Sequence, residues 1–306
     1  MKNDATSTSR QNVYSRITSQ IIASLEQGVR PWVKPWNAEH AAGRITQPLR
    51  FNLQPYSGIN ILSLWMSAAA QGFAAPIWMT FRQAIELNAH VRKGEKGSLV
   101  VYANAITRSE RDEETGEDVE REIPYLKGYT VFNVDQIEGL PEQYYVKPEP
   151  KFTAVERIGH AEAFFAATQA DIRYRGSRAY YAQEPDYIQM PPIEAFTDAE
   201  SFYATLAHET VHWTKHPARL QRDFGRKSWD DEGYASEELV AELGSAFLCA
   251  DLELMPEVRA DHASYIASWL EVLRNDNRAI FVAAAHAQRA ADYLHRMQPE
   301  AKAEAA

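Results

Sequence analysis

Val13, Ile17, Ile21 and Leu25 recur one helical turn apart and are followed by Gly28, which predicts a helix over 12–27. Residues 58–71 and 79–89 carry similar spacing, with Gly58 and Thr80 near their starts. LVVYANAI (99–106) and YTVFNV (129–134) are β-branched and aromatic and predict strands. The polar stretch between them, turning at Thr115-Gly116, predicts a solvated hairpin tip or loop. PEQYYVKPEPKF (141–152) has three prolines and no periodicity, as a linker does. A helix near 153–169 comes next, then RYRGSRAYYA and DYIQMP, which suggest a strand pair. Helical spacing fills the remainder, at roughly 198–215, 235–252, 257–274 and 277–297. The pattern predicts an α+β protein of two domains, 1–145 and 146–306, the second mainly helical.

Composition narrows the class. With 45% apolar and 24% charged residues the chain is of the soluble globular type. It has no apolar run of the roughly 18 residues needed to cross a bilayer, and MKNDATSTSRQN has no hydrophobic stretch resembling a secretion signal. A single cysteine, Cys249, excludes an internal disulfide and fits a reducing compartment, so the cytoplasm is the expected location. The net charge of −10 conceals a split: residues 1–107 hold eleven Lys/Arg against five Asp/Glu, whereas 108–122 hold three bases against eight acids.

The segment HETVHWTKH (208–216) supplies the candidate chemistry. On a helix His208 and His212 project from one face, one turn apart, and both can reach one zinc. Glu209 stands between them in the H-E-x-x-H pattern, where a carboxylate can take a proton from a water. A capping box at Thr197-Asp198-Ala199-Glu200 and a stripe of Phe202, Leu206 and Trp213 support the helix. Catalytic zinc needs a third protein ligand. SEELVAELGSAFL, downstream, places Glu238 and Glu242 one turn apart on a second helix. Glu238 is the expected ligand and Glu242 the expected hydrogen-bond partner of a ligand histidine, although the two roles can be exchanged and Glu237 competes. His216, a further turn along, reads as structural or substrate-facing, because three ligands on one straight helix surround a tetrahedral ion poorly. Cys249, His262, His286 and His295 lack partner spacing and read as core or surface residues. Tyr234, Tyr180 and Tyr181 are candidate oxyanion donors. Tyr187–Met190 reads either as an edge strand that pairs with a peptide or as an ordinary core strand.

The basic half suggests a second activity. Single strands of nucleic acid are held by cationic grooves with aromatic platforms. RPWVKPW interleaves Arg30, Trp32, Lys34 and Trp36, and VRKGEKG adds Arg92, Lys93 and Lys96 among glycines that let phosphates come close. Arg44, Arg50 and Arg82 can extend the groove. Trp65, Trp78, Phe73 and Phe81 lie in apolar company and read as core. Trp32 and Trp36 can equally pin a loop to the domain surface.

Over nearly its whole length the chain resembles the ArdC-type antirestriction proteins of conjugative plasmids. The resemblance rests on PWVKPW, YSGINILSLW, WMTFRQA and VRKGEKG, then FYATLAHETVHWTKHPARL, YASEELVAELGSAFLCADL, SYIASWL and AAAHAQRAADYL, in that order. It implies an N-terminal single-stranded-DNA-binding domain, a C-terminal zincin-like metallopeptidase domain and protection of plasmid DNA from host restriction. It further implies His208 and His212 as metal histidines, Glu209 as the catalytic acid and Glu238 as the downstream ligand. The expected metal is Zn2+, with Mn2+ or Co2+ able to take the same donors; the expected partners are single-stranded DNA and a protein or peptide, with no membrane. A DNA-associated repair protease, or a non-catalytic DNA-shielding protein with a structural metal, would use the same modules.

Overall fold

The computed structural model describes residues 12–32, 46–111, 118–145, 153–225, 232–255 and 262–299. The first helix, α1 (Val13–Glu26), starts at Asn12, whose side chain accepts from Ser15 N, and stops before Gly28 at φ +73°. It buries Ile17, Ile21 and Leu25, the stripe that the spacing predicts. Three further elements alternate with it: β1 (Leu49–Arg50), α2 (Ile59–Gln71) and β2 (Ile77–Met79). A short α3 (Phe81–Glu86) is held by a capping box between Thr80 and Gln83, and β3 (His90–Val91) follows.

The longest strands, β4 (Ser98–Arg111) and β5 (Asp118–Asn133), form an antiparallel hairpin that extends well past the expected 99–106 and 129–134. Residues 108–111 and 118–122 of the acidic stretch are therefore paired ribbon, and the expected turn at Thr115-Gly116 lies outside the described residues. A run polar on both faces, such as RSER (108–111), suits a two-stranded ladder as well as it suits a loop, so polarity alone does not separate them. With β1 and β2 the hairpin makes a sheet in the order β1-β2-β5-β4, while β3 pairs with β6 (Ile137–Glu138). Asn60 of α2 bonds both the N–H and the carbonyl of Val101, at 2.7 and 2.9 Å, so a side-chain amide covers the outer edge of β4. Within the expected linker, residues 142–144 form a 3-10 turn that buries Tyr144; residues 146–152 lie outside the described set.

The second region begins with α4 (Ala154–Ala167). A three-stranded sheet comes after it, made of β7 (Asp171–Tyr174), β8 (Tyr180–Ala182) and β9 (Tyr187–Met190) in the order β7-β9-β8. Among the described residues four helices follow: α5 (Ala199–Trp213), α6 (Glu232–Asp251), α7 (His262–Asn275) and α8 (Ala279–Arg296). Asp198 caps α5 by accepting from Ser201 N at 2.7 Å. The expected Thr197–Glu200 box is not the device, since Glu200 instead accepts from Met255 N.

One apolar core spans both regions. Ile17, Ile21, Leu25, Trp32, Ile59, Ile61, Leu62 and Trp65 belong to the same buried cluster as Leu206, Val211, Leu239, Phe247, Trp269 and Leu294. Trp32 packs edge-on against Trp269 of α7 at 5.7 Å between centroids. A ring of that size buries roughly 200 Å², worth about 5 kcal/mol at about 25 cal/mol per Å². Smaller clusters around Met79 and Trp78 belong to the N-terminal region alone.

Candidate metal centre

The site forms where α5 and α6 cross. Gly244 lets them approach: a Cβ there would lie 2.8 Å from Val211 Cγ2 and 2.9 Å from Cγ1. Val211 lies between the two histidines in sequence, so this contact sets how near the α6 carboxylates come to them. Glu238 lies between the imidazoles. Its Oε2 is 3.5 Å from His208 Nε2, and its Oε1 is 3.5 Å from His212 Nε2. Donors placed about 2.0–2.2 Å from a tetrahedral centre are about 3.4 Å apart. One donor atom from each of His208, His212 and Glu238 lies within 4.8 Å of the others. The three residues fit a divalent cation in composition and in spacing.

Each histidine has a carboxylate behind it. His212 Nδ1 is 2.9 Å from Glu237 Oε1. Arg222 grips Glu237 through Nε at 2.7 Å and Nη2 at 2.9 Å, and also donates to Thr214 Oγ1 and the Val211 carbonyl. Behind His208, Glu242 Oε1 lies 3.6 Å from Nδ1. At that distance Glu242 is an ion-pair neighbour of His208, beyond hydrogen-bond reach, on the side where the sequence places a partner. Glu237, expected only as a rival ligand, takes the corresponding place on His212.

These neighbours set the electrostatics. Burial disfavours charge on the His212 ring, but the Glu238 charge and hydrogen bonds to Glu237 and Glu238 outweigh it and raise its pKa to about 9. Burial would push Glu237 upward, yet Arg222 and His212 bring it down to about 2. Glu238 is held well below the usual carboxylate range, its burial being overcome by His212 and His208. The raised pKa makes a proton on His212 a competitor of any cation taken by the same donors.

The centre opens into a cleft of about 1110 Å³ bordered by residues 177–183, the end of α5, the 217–224 loop and the start of α6. His208, Glu209 and His212 all line it, and Glu209 is 4% exposed. The three candidate tyrosines line the same cleft but differ in their bonds. Tyr180 Oη is shared with Tyr187 and Gln189. Tyr181 donates to Asp186 and accepts from Arg219. Tyr234 pairs with Tyr265 at 2.9 Å, and burial together with the nearby Glu238 charge raises its pKa, which keeps the phenol protonated. Tyr187–Met190 is the central strand of its sheet, buried along its whole length, so the edge-strand reading is corrected: the strand that borders the cleft is β8.

Other residues fall outside the centre. His216 Nδ1 accepts from Ala218 N and shapes the turn after α5. Cys249 is fully buried, which pushes its thiol up to about 12. His286 packs on Phe224, and His295 bonds Asp251.

The basic cluster is only partly a surface. Trp32 is completely buried and Arg30 is 9% exposed, so neither offers a face to a nucleic acid base; of the two readings of Trp32, the pinned loop is the observed one. Lys34, Trp36 and Arg44 lie outside the described residues. Arg92 is engaged by Glu95 at 2.8 Å, whereas Lys93 and Lys96 are exposed. Gly97 has a packing reason to be glycine: a Cβ there would meet Thr130 Cγ2 at 2.2 Å. Phe81, expected in the core, is 52% exposed; Trp65, Trp78 and Phe73 are buried.

Fold and centre together define the second region as a zincin-like metallopeptidase domain, the description of the family that residues 159–286 match. Residues 11–132 match the N-terminal domain of anti-restriction factor ArdC. The chain is 49% identical to the antirestriction ArdC protein of plasmid R388 in its metal-free crystal structure, with a TM-score of 0.79 over 94% of this chain and 98% of that one. Its Mn(II)-bound crystal structure aligns at 46% identity and a TM-score of 0.78, over 95% of this chain and 99% of that one. The chain therefore belongs to the ArdC antirestriction family. Uncharacterized protein y4eC of Sinorhizobium fredii (strain NBRC 101917 / NGR234) is 45% identical over 308 residues, covering 99% of this chain and 97% of its own. DNA primase TraC of Escherichia coli is 37% identical over 296 residues, but this chain spans only 27% of its length.

Proposed function

We propose that this protein is an antirestriction factor that holds single-stranded plasmid DNA through its N-terminal region and cleaves a protein at the metal centre, in the cytoplasm. The convergence of His208, His212 and Glu238 beside Glu209, in an open cleft, carries the peptidase half of this reading. A divalent cation bound there would polarise a peptide carbonyl and acidify a water. Zinc suits the two imidazoles and the carboxylate, while manganese and cobalt accept the same donors.

The chain's own groups supply the rest. Glu209 holds the attacking water, takes its proton and passes it to the leaving amine. Tyr234, kept protonated, donates to the oxyanion. The side of β8 turned away from β9 pairs with the extended peptide and fixes its direction across the cleft. Lys93 and Lys96 contribute to phosphate contact, and ArdC kinship together with the likeness to TraC supports the DNA half. Lys34 and Trp36 are retained as DNA contacts on the sequence pattern alone.

The decisive variant is Glu209→Ala. It should keep metal and single-stranded DNA binding while losing cleavage of unfolded casein and protection of transferred plasmid in a restricting recipient. Full protection by this variant would show that occupancy of DNA suffices and would remove proteolysis from the biological role.

A further inference from the structure

Glu242 is a buried carboxylate, 7% exposed, and a charge in that setting needs donors. Its Oε2 accepts from Trp32 Nε1 at 3.1 Å and lies 3.5 Å from Arg30 Nη1. Its other oxygen, Oε1, lies 3.6 Å from His208 Nδ1, an ion-pair distance longer than a hydrogen bond. The two donors come from 210 and 212 residues away, within the stretch matched to the ArdC N-terminal domain. Indole nitrogen is a donor only, so its aim at a carboxylate is chemically directed in a way that ring packing on Trp269 alone would not require.

We infer that Arg30 and Trp32 are positioning residues of the metal centre, supplied from outside the metallopeptidase domain. They fix the Glu242 carboxylate, Glu242 sets the tautomer and tilt of the His208 ring, and the ring then presents Nε2 toward Glu238. The arrangement parallels, at longer range, that of Arg222 and Glu237 on His212, where the carboxylate lies 2.9 Å from the ring nitrogen. Outer partners of this kind change metal affinity by about 10–100-fold when removed. Linkage makes the effect mutual: whatever ties residues 30–32 down favours the metal, and the metal favours the docked segment. The inference rests on the reading that His208, His212 and Glu238 take the cation.

Cobalt(II) is a suitable probe, because its visible absorption reports ligand geometry and its affinity can be read without any peptidase assay. Full-length wild type, Trp32→Phe, Glu242→Gln and the double variant are titrated with Co(II), beside thermal melts of the metal-free proteins. Trp32→Phe, which keeps an aromatic ring in the core, should weaken Co(II) binding by about tenfold or more and shift the absorption bands. The double variant should bind no more weakly than Glu242→Gln alone, since the indole acts through that carboxylate. A Trp32→Phe protein with lower melting temperature but wild-type Co(II) affinity and spectrum would overturn the proposal, as would losses that add in the double variant. If Trp32→Phe does not fold, Arg30→Met leaves the indole in place and is judged by the same two criteria. Failure of wild type to bind Co(II) at all would instead bring down the metal-centre reading and this proposal with it.

Discussion

His212 draws its backing from close by: Glu237 is 25 residues along the chain, and the Arg222 that holds it lies only 15 residues from Glu237. His208 relies on Glu242, whose cation and indole arrive from more than 200 residues away. The near support is dense, with Arg222 1% exposed and making four hydrogen bonds of 3.1 Å or less. The distant one, as far as the described residues go, has a 3.1 Å bond from Trp32 and a 3.5 Å ion pair from Arg30, both longer than the 2.7 Å bond from Arg222 to Glu237. One histidine is therefore backed from within the α5–α6 region, and the other through a carboxylate held by the N-terminal segment.

The largest effect that tests this contrast is Arg222→Met. It strands a buried Glu237 and should cost about 3–5 kcal/mol in the metal-free protein, whereas Arg30→Met should cost about 1 kcal/mol because the indole donor remains. Denaturant midpoints of the two variants decide it, and equal losses would erase the distinction. Next comes pH. The His212 pKa rises from 6.5 to about 9 on folding, so its contribution is complete below about pH 6.5 and is lost as pH climbs through 9. The Glu237 pKa falls from 4.5 to about 2, so its contribution holds above about pH 4.5 and is lost as pH drops through 2. Metal-free protein should be most stable near pH 5.5 and weaken by on the order of 3 kcal/mol toward pH 9. Loaded metal displaces the proton and should flatten that alkaline decline; an unchanged slope in the loaded protein would place the cation elsewhere. The smallest effect belongs to Lys215→Met. Its ammonium is 3.9 Å from Glu237, which two Arg222 bonds already satisfy, so chevron and melting data should shift by less than about 1 kcal/mol.

His208, Glu209, His212, Glu238 and Glu242 were legible in the chain because each lies at a helical interval from another, and helix periodicity survives folding unchanged. The partner of His212 was not legible: Glu237 sits roughly 100° around α6 from Glu238, and only the crossing angle of two helices decides which histidine it meets. The α1 stripe was readable for the same reason as the metal helix. Trp32 misled because tryptophan beside arginine and proline suits a stacking loop and a buried plug alike, and its destination lies on α7, far along the sequence. Register was the other blind spot. Nothing in Tyr187–Met190 distinguishes a central strand from an edge, since that depends on which segments flank it.

The shared core has a consequence for anyone who would take the chain apart. A cut near residue 145 would strip α1, α2 and Trp32 from the helices they cover, leaving Phe247, Trp269 and Leu294 with water where they now have neighbours. The two family segments are units of inheritance, but they share one apolar core, and a shortened peptidase would meet the solvent with an open greasy trench.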